Sequence, residues 1–294
     1  MSELQPGNSI HRYEILKVLG SGAFGVVYLV QHKTLGYQVV VKEYLPQALA
    51  HRVQGRVVPL QANVEDVFEQ SLLRFKQECE TLLTLNHPNI VYVYDCFYDG
   101  GTAYMVMHKE TGNTLWDSYA QQVQQQQRAL RWQQLARIMP GVLQGLTYMH
   151  QRELIHRDIK PGNIFLRAGS QIHPLLIDFG AVKVGRGYSS AYAQNTPVYA
   201  ALEQDYDIHP IGPWTDVHAL GVMLTELLTG QRPLSAYERQ QQVTAGGVDP
   251  IVSLINDIIE RESAELGHAL LQATQLHPQQ RLQSIEELQR ALPH

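Results

Sequence analysis

Between Tyr13 and Tyr44 the apolar positions follow a strand rhythm. EILKVLG alternates, VVYLV is apolar and β-branched, and QVVVKEY is a third such run, with Thr34-Leu35-Gly36-Tyr37 as a turn before it. Three consecutive antiparallel strands are therefore predicted. Residues 45–62 are irregular, with Pro46, Gly55 and Pro59, and HRVQGRVVPL predicts a small hairpin turning at Gln54-Gly55. With Asn63 as N-cap, Phe68, Leu72, Phe75, Cys79 and Leu82 fall on one stripe at helical spacing. The expected helix is about 22 residues long and stops at Asn86-His87-Pro88. IVYVYDCFY and TAYMVMH are two further strand runs, joined by a hairpin at Asp99-Gly100-Gly101.

From about Thr114 the rhythm turns helical. TLWDSYA opens it, and the glutamine run over residues 121–127 reads as a solvated helix end or loop. RWQQLARIMPGVLQGLTYMHQ is apolar at helical spacing, with a kink or break expected at Pro140. Short β-prone pieces surround residues 155–180. Helical patterns return from Thr215, in DVHALGVMLTELL, DPIVSLINDIIE and SIEELQRAL. The fold class expected is α+β: a small antiparallel sheet with one main helix over about residues 10–107, then a larger, mostly helical part over about 113–292.

Composition narrows the function. The chain has 294 residues, 44% of them hydrophobic, enough for one large domain or two lobes. The formal net charge of −5 argues against nucleic acid or an anionic membrane as the main partner. Two cysteines cannot build a disulfide framework, which fits a reducing compartment. No apolar run reaches the ~18 residues of a membrane span, and MSELQPGNSIHRYE has no apolar signal region. A cytoplasmic location is expected for this segment.

Four motifs carry chemistry. Gly20-Ser21-Gly22-Ala23-Phe24-Gly25-Val26-Val27 places glycines between two strands, where backbone N–H groups can approach phosphates without a Cβ in the way. A strand follows, whereas a dinucleotide fingerprint requires a helix there; a merely flexible hairpin is the plainer reading of this motif alone. Lys42, inside the apolar run VVVKEY, must snorkel or find a carboxylate. Glu78, on the flank of the helical stripe, is the candidate partner, and Glu80 points the other way. His156-Arg157-Asp158-Ile159-Lys160-Pro161-Gly162-Asn163 follows a helix and precedes the short strand IFL. Its aspartate can accept a hydroxyl proton, its lysine can neutralise a transferring phosphoryl group and its asparagine carbonyl can ligate a hard cation. Asp178-Phe179-Gly180, after the apolar run PLLI, places a carboxylate at a strand end, poised for a metal.

Taken in order, GSGAFGVV, VVVK, Glu78, HRDIKPGN, DFG, TPVYAALE and DVHALG resemble the eukaryotic-type (Hanks-type) protein kinase family, over about residues 10–292. The resemblance implies a bilobal fold with a hinge at about 108–112, ATP in the cleft between lobes, and Mg2+ as the metal, with Mn2+ as an alternative. It implies that Leu19, Gly20, Ser21, Gly22, Ala23, Phe24 and Gly25 cover the nucleotide. Lys42 would hold the α- and β-phosphates and pair with Glu78. Asp158 would be the catalytic base, Lys160 would face the γ-phosphate, and Asn163 and Asp178 would hold the metal. Met107 would be the gatekeeper, His108 and Glu110 would offer backbone groups to adenine, and Val27, Val40 and Phe165 would sandwich the ring. Glu203 would pair with Arg281, and Asp216 would brace the catalytic loop.

The stretch from Asp178 to Glu203 resembles an activation segment. Arg157 and Lys183 are the basic positions expected to receive a phosphate, with Ser189, Ser190 and Thr196 as candidate acceptors; Thr196 is favoured for a structural role. Tyrosine kinases lack a lysine two residues after the aspartate, so Lys160 implies serine or threonine acceptors. Val40 stands where the family has alanine, Leu202 where it has the proline of its APE motif, and His108 replaces an acidic hinge residue. The long gap between Lys42 and Glu78 resembles that of bacterial kinases, including those attached to type VI secretion systems, for which an FHA-domain protein is the implied substrate. Transient self-association would serve phosphorylation in trans. A pseudokinase scaffold and a small-molecule kinase are the rival readings; Lys42, Asp158, Asn163 and Asp178 together oppose the first, and TPVYAALE with Lys160 the second.

Overall fold

In the computed structural model, which describes residues 3–126, 129–169, 172–178, 183–184, 197–205 and 210–293, the alternating runs become strands. The chain divides into two compact units, Met1–Glu110 and Thr111–His294. The first runs β1 (Ser9–Ile10), β2 (Tyr13–Gly22), β3 (Gly25–His32), β4 (Gln38–Tyr44), β5 (Ala50–Val53), β6 (Arg56–Pro59), helix α1 (Glu65–Leu82), β7 (Val93–Asp99) and β8 (Thr102–Met107). Six strands form an antiparallel sheet in the order β1-β2-β3-β4-β8-β7, and β5 and β6 form a separate hairpin.

Period-two alternation gives this sheet two different faces. Val26, Tyr28, Val30, Val39, Val41, Glu43, Tyr104 and Val106 are buried on one. Val27, Val40, Lys42 and Met107 alternate onto the other and are half-buried. The first face contains a charge: Glu43 is fully buried. It accepts hydrogen bonds from Tyr28 Oη at 2.9 Å and Tyr104 Oη at 2.6 Å, and is bridged by Arg52 of β5. The β5–β6 hairpin is thereby fastened to the strand that carries Lys42. Its turn is Gln54-Gly55, both with positive φ (48° and 83°), as a tight two-residue connection requires. The Val57 N–H also donates to the Gly100 carbonyl at 2.7 Å. A Cβ on Gly101 would lie 2.5 Å from the Val57 carbonyl oxygen, so the close approach of hairpin to β7–β8 turn fixes glycine there.

Helix α1 differs from expectation at both ends. It starts at Glu65 after a 3-10 turn over Ala62–Val64, so Asn63 lies in that turn and Val64, with no side-chain cap, holds the N-cap position. It ends at Leu82, before the Asn86-His87-Pro88 stop. The Thr81 hydroxyl donates to the Gln77 carbonyl and the Thr84 hydroxyl to the Thr81 carbonyl, while the Thr84 and Leu85 N–H groups close three-residue turns. These local bonds compete with helix continuation. Phe68, Phe75, Glu78, Cys79 and Leu82 are buried, and Tyr44 meets Phe75 at 5.3 Å between ring centroids.

The second unit runs β9 (Gly112–Thr114), α2 (Leu115–Gln126), α3 (Trp132–Leu135), α4 (Met139–His150), β10 (Leu154–Ile155), β11 (Ile164–Arg167), β12 (His173–Leu176), β13 (Lys183–Val184), α5 (Leu202–Asp205), α6 (Pro213–Thr229), α7 (Ala236–Thr244), α8 (Ile251–Arg261), α9 (Ala264–Ala273) and α10 (Ile285–Ala291). Pro140 breaks the predicted long helix: α3 and α4 separate, and the proline sits in the first turn of α4, where its missing N–H costs nothing. Every residue of α6 from Thr215 to Leu228 is buried, so this helix is the axis of the unit. Between α4 and α6, β10 pairs with β13, and β11 lies between β9 and β12.

Replacing Arg52 with methionine leaves the Glu43 carboxylate without its cation in a dry site, a loss of about 3–5 kcal/mol. The urea midpoint is expected to fall in Arg52→Met and to recover in part in Arg52→Met/Glu43→Leu. Equal destabilisation in both variants would show that the pair is not the anchor.

Candidate active site

β2 and β3 bring the glycines to a hairpin tip. Gly22 pairs with Gly25, which leaves Ala23 and Phe24 as the turn. Leu19 and Phe24 are exposed. The Leu45 and Gln47 N–H groups donate to the Phe24 and Ala23 carbonyls at 3.0 Å each, and Gln47 Nε2 donates to Ser21 Oγ at 3.4 Å. The segment just after β4 therefore steadies the tip. The glycines divide by role. A Cβ on Gly25 would lie 2.2 Å from the Glu43 carbonyl oxygen, so that glycine is required by sheet packing. Around Gly20 and Gly22 a Cβ would meet nothing within 4 Å, so their bare backbone faces open space, as close approach to a phosphate requires.

Val27 and Lys42 are direct cross-strand partners, as are Val40 and Met107. These four predicted residues thus share one face of the sheet. α1 packs against the same sheet, through Tyr44 and Phe75. The Lys42 ammonium and the Glu78 carboxylate both act on the Cys79 thiol, which places the buried Glu78 and Lys42 in one neighbourhood. His108 follows β8 and donates its backbone N–H to the Tyr92 carbonyl at 2.9 Å, while its ring bonds to the Tyr94 hydroxyl. Glu110 ends the unit.

In the second unit the polar loop between β10 and β11 converges on one carboxylate. Lys160 Nζ donates to Asp158 Oδ2 at 2.7 Å. Asn163 Nδ2 donates to the same oxygen at 2.9 Å and to the Asp158 carbonyl at 2.8 Å. With the Asn163 amide nitrogen spent on Asp158, its carbonyl oxygen is the group left to offer a cation. The Ile177 N–H donates to the Asn163 backbone carbonyl at 3.0 Å, which ties the loop to Asp178. Asp178 has φ 59°, a left-handed conformation that turns the chain sharply at the end of β12. Phe165, on β11, pairs with Thr114 and Leu175.

Beneath the loop lies Asp216 of α6, fully buried. It accepts from the His156 N–H at 2.9 Å and the Arg157 N–H at 2.8 Å, and His150 Nε2 lies 2.8 Å from it. Burial pushes this carboxyl up, but the His150 bond and charge, His156 and the Arg157 N–H outweigh it and hold the group below the usual carboxylate range. Burial drives His156 below the usual imidazole range, against the pull of Asp216, Asp158 and Asp178. That imidazole thus feels all three carboxylates. Arg157, with φ 69°, is further held by Gln204 Nε2, which donates to its carbonyl at 2.7 Å. Glu203 meets Arg281 at 2.8 Å with both side chains fully buried, and accepts from Thr215 Oγ1 at 2.9 Å.

The protein kinase domain family matches residues 13–290. The chain belongs to the protein kinase family. It is 31% identical to serine/threonine-protein kinase C of Synechocystis sp. over 96% of this chain, and spans about half (49%) of that relative's length. Among solved structures it is similar to the apo form of PpkA-294, at TM-score 0.81 and 28% identity over 100% of both chains. The Mycobacterium tuberculosis PknI kinase domain matches at TM-score 0.71 and 26% identity, over 98% of both chains. The fold is that of a bacterial Hanks-type serine/threonine kinase domain, with a sheet-built N-lobe and a helical C-lobe.

Within this kinase fold the glycine hairpin, Lys42, Glu78, Val27, Val40 and Met107 gather in the N-lobe. Asp158, Lys160, Asn163 and Asp178 gather in the C-lobe, with Phe165 on the strand that follows their loop. Lys183 is placed by its backbone alone, opposite Ile155 in the β10–β13 pair. Ser189, Ser190 and Thr196 lie outside the described residues, as do Phe179 and Gly180. Two contributors went unread in the sequence. His150 had a signal, as the last residue of the helix before the loop; Gln204 had none beyond adjacency to Glu203. Among the described residues no helix is long and apolar enough to cross a membrane.

Asp216→Ala removes the acceptor of two buried backbone N–H groups, at about 1–3 kcal/mol for each one left unsatisfied. A lower urea midpoint and a loss of phosphotransfer are expected together; a variant of unchanged stability would remove Asp216 from the loop's support.

Proposed function

We propose that this kinase domain transfers the γ-phosphoryl group of ATP to serine or threonine hydroxyls of proteins, with Asp158 as the base. The observation that carries this reading is the convergence of Lys160 and Asn163 on the Asp158 carboxylate, beside Asp178. The Asp158 carboxylate would orient the acceptor hydroxyl and take its proton as the oxygen–phosphorus bond forms and ADP leaves. Lys160 would neutralise charge on the moving phosphoryl group, and its position favours serine or threonine acceptors. The glycine hairpin would cover the phosphates with Leu19 and Phe24 at its rim. Lys42, steadied by Glu78, would hold the α- and β-phosphates. Val27, Val40, Met107 and Phe165 would bound the adenine, with backbone groups of His108 and Glu110 at its edge, residues 108–112 serving as the hinge.

The donor set fits magnesium: a carboxylate at Asp178 and an amide carbonyl at Asn163 are hard oxygen ligands, as that ion or manganese prefers. When bound, the metal would screen the phosphate charge and keep the triphosphate in line for displacement. For the whole protein, Arg157 and Lys183 support control by phosphorylation of the segment between Asp178 and Glu203, with Ser189 and Ser190 as acceptors in self-associated copies. The likeness to PpkA-294 and the long insertion between Lys42 and Glu78 favour a type VI secretion-linked kinase with an FHA-domain protein as substrate, acting in the cytoplasm.

Asp158→Asn and Lys42→Met are each expected to lower transfer from γ-labelled ATP by about 10²–10⁴-fold while keeping the unfolding transition. Undiminished transfer by folded Asp158→Asn would defeat the assignment. Mass spectrometry of the protein incubated with ATP and magnesium is expected to find phosphate between Asp178 and Glu203. Phosphate confined to other segments would remove Arg157 and Lys183 from a phosphate-binding role.

A further inference from the structure

The chain has two cysteines, and the fold brings them together. Cys79 lies on α1, fully buried, and Cys96 on β7, half-buried. Sheet pairing puts Cys96 opposite Met105, and Met105 opposite Lys42, so Cys96 shares the Lys42 face. α1 and β7 are fixed in register by Lys76 Nζ, 5.3 Å from the centroid of the Tyr98 ring. Lys76 is one turn before Cys79 on the helix, and Tyr98 is two residues after Cys96 on the strand, so the two cysteines fall on the next rung. The Cys79 thiol feels Cys96, Glu78 and Lys42; Cys79 follows Glu78 in the chain, and Met105 stands between Cys96 and Lys42 across the sheet.

We propose that Cys79 and Cys96 are a peroxide-responsive pair whose reversible disulfide staples α1 to the sheet beside Lys42 and Glu78. The order of events follows from burial. The Cys96 contact, desolvation and Glu78 all push the Cys79 thiol up, with Lys42 opposing, so Cys79 stays protonated and enclosed. Cys96 is the more accessible and reacts first. Its thiolate sulfur attacks hydrogen peroxide, breaking the O–O bond and giving Cys96 sulfenic acid with release of water after protonation. The Cys79 sulfur then displaces the hydroxyl of the sulfenic acid, forming the S–S bond and releasing a second water. The two sulfurs together lose two electrons, peroxide gains them, and a dithiol returns the pair to the reduced state. The helix is then tied covalently at the residue next to Glu78. Any effect on phosphotransfer rests on the reading of Lys42 and Glu78 given above; the disulfide does not.

The test uses the full chain, reduced and then treated with hydrogen peroxide. Peptide mapping is expected to show a linked Cys79–Cys96 peptide that dithiothreitol removes. Amide exchange over residues 74–82 is expected to slow by about tenfold or more in the oxidised form. In Cys79→Ser the partner is missing, so dimedone is expected to label Cys96; in Cys96→Ser, whose site is half-exposed and tolerant, Cys79 is expected to remain unlabelled. Absence of the linked peptide, or labelling of Cys79 ahead of Cys96, would overturn the pair. The KM for ATP is expected to shift by about threefold or more on oxidation of the wild type and to stay constant in Cys96→Ser. Equal responses of the two would overturn the coupling to Lys42 and Glu78. The outcome with Asp158→Asn, which tests the kinase reading itself, does not enter the peptide map.

Discussion

The carboxylate of Asp216 touches no reacting group, yet the geometry of Asp158 hangs from it. A charge buried in the first turn of α6 is expensive, and it persists only because donors converge on it. His150 comes from the end of α4, and two consecutive backbone N–H groups come from His156 and Arg157. Those same bonds hold Arg157 at a φ of 69°, which a non-glycine residue adopts only under constraint. Gln204 completes the grip from α5. The loop is thus suspended from three helices before Lys160 and Asn163 act on Asp158, so the proposed base is positioned by backbone, and then held by side chains.

The sequence rhythm disclosed most of the N-lobe. The strands around the glycines, the β7–β8 hairpin and even the Gln54-Gly55 turn could be read from alternation and turn chemistry alone. What alternation cannot reveal is which face is deeper. Lys42 drew attention as the charge inside an apolar run, and it is half-buried; Glu43, its neighbour, is the one that is wholly enclosed. Consecutive residues of a strand point to opposite sides, so KEY could not tell which of the two needed a partner until Arg52, Tyr28 and Tyr104 were seen around it. The ends of α1 were misread for a different reason. Threonine hydroxyls bond locally to helical carbonyls, and this weak competition ends the helix before the proline that seemed to stop it.

The site was legible in its chemistry and opaque in its support. Asp158, Lys160, Asn163 and Asp178 are close in sequence or framed by apolar strands, so residue type and order exposed them. His150 and Gln204 act across long separations through ordinary hydrogen bonds; only the place of His150 at the end of the helix before the loop marks it, and nothing local marks Gln204. The glycines are instructive in the same way. One motif contains Gly25, which the neighbouring strand demands, and Gly20 and Gly22, around which nothing crowds. Only space measured in the fold separates a glycine kept for packing from one kept for a visitor.

The β5–β6 hairpin has a bearing on how this lobe can be re-engineered. Trimming residues 46–60 to a short loop would strand a carboxylate and two phenols in an oily interior, because Glu43, Tyr28 and Tyr104 are shaped around Arg52. A minimal version of the lobe would need those three positions rewritten as hydrocarbon side chains in the same step. Insertion and sheet are therefore a single inheritance, and grafting either onto another scaffold requires carrying the other along.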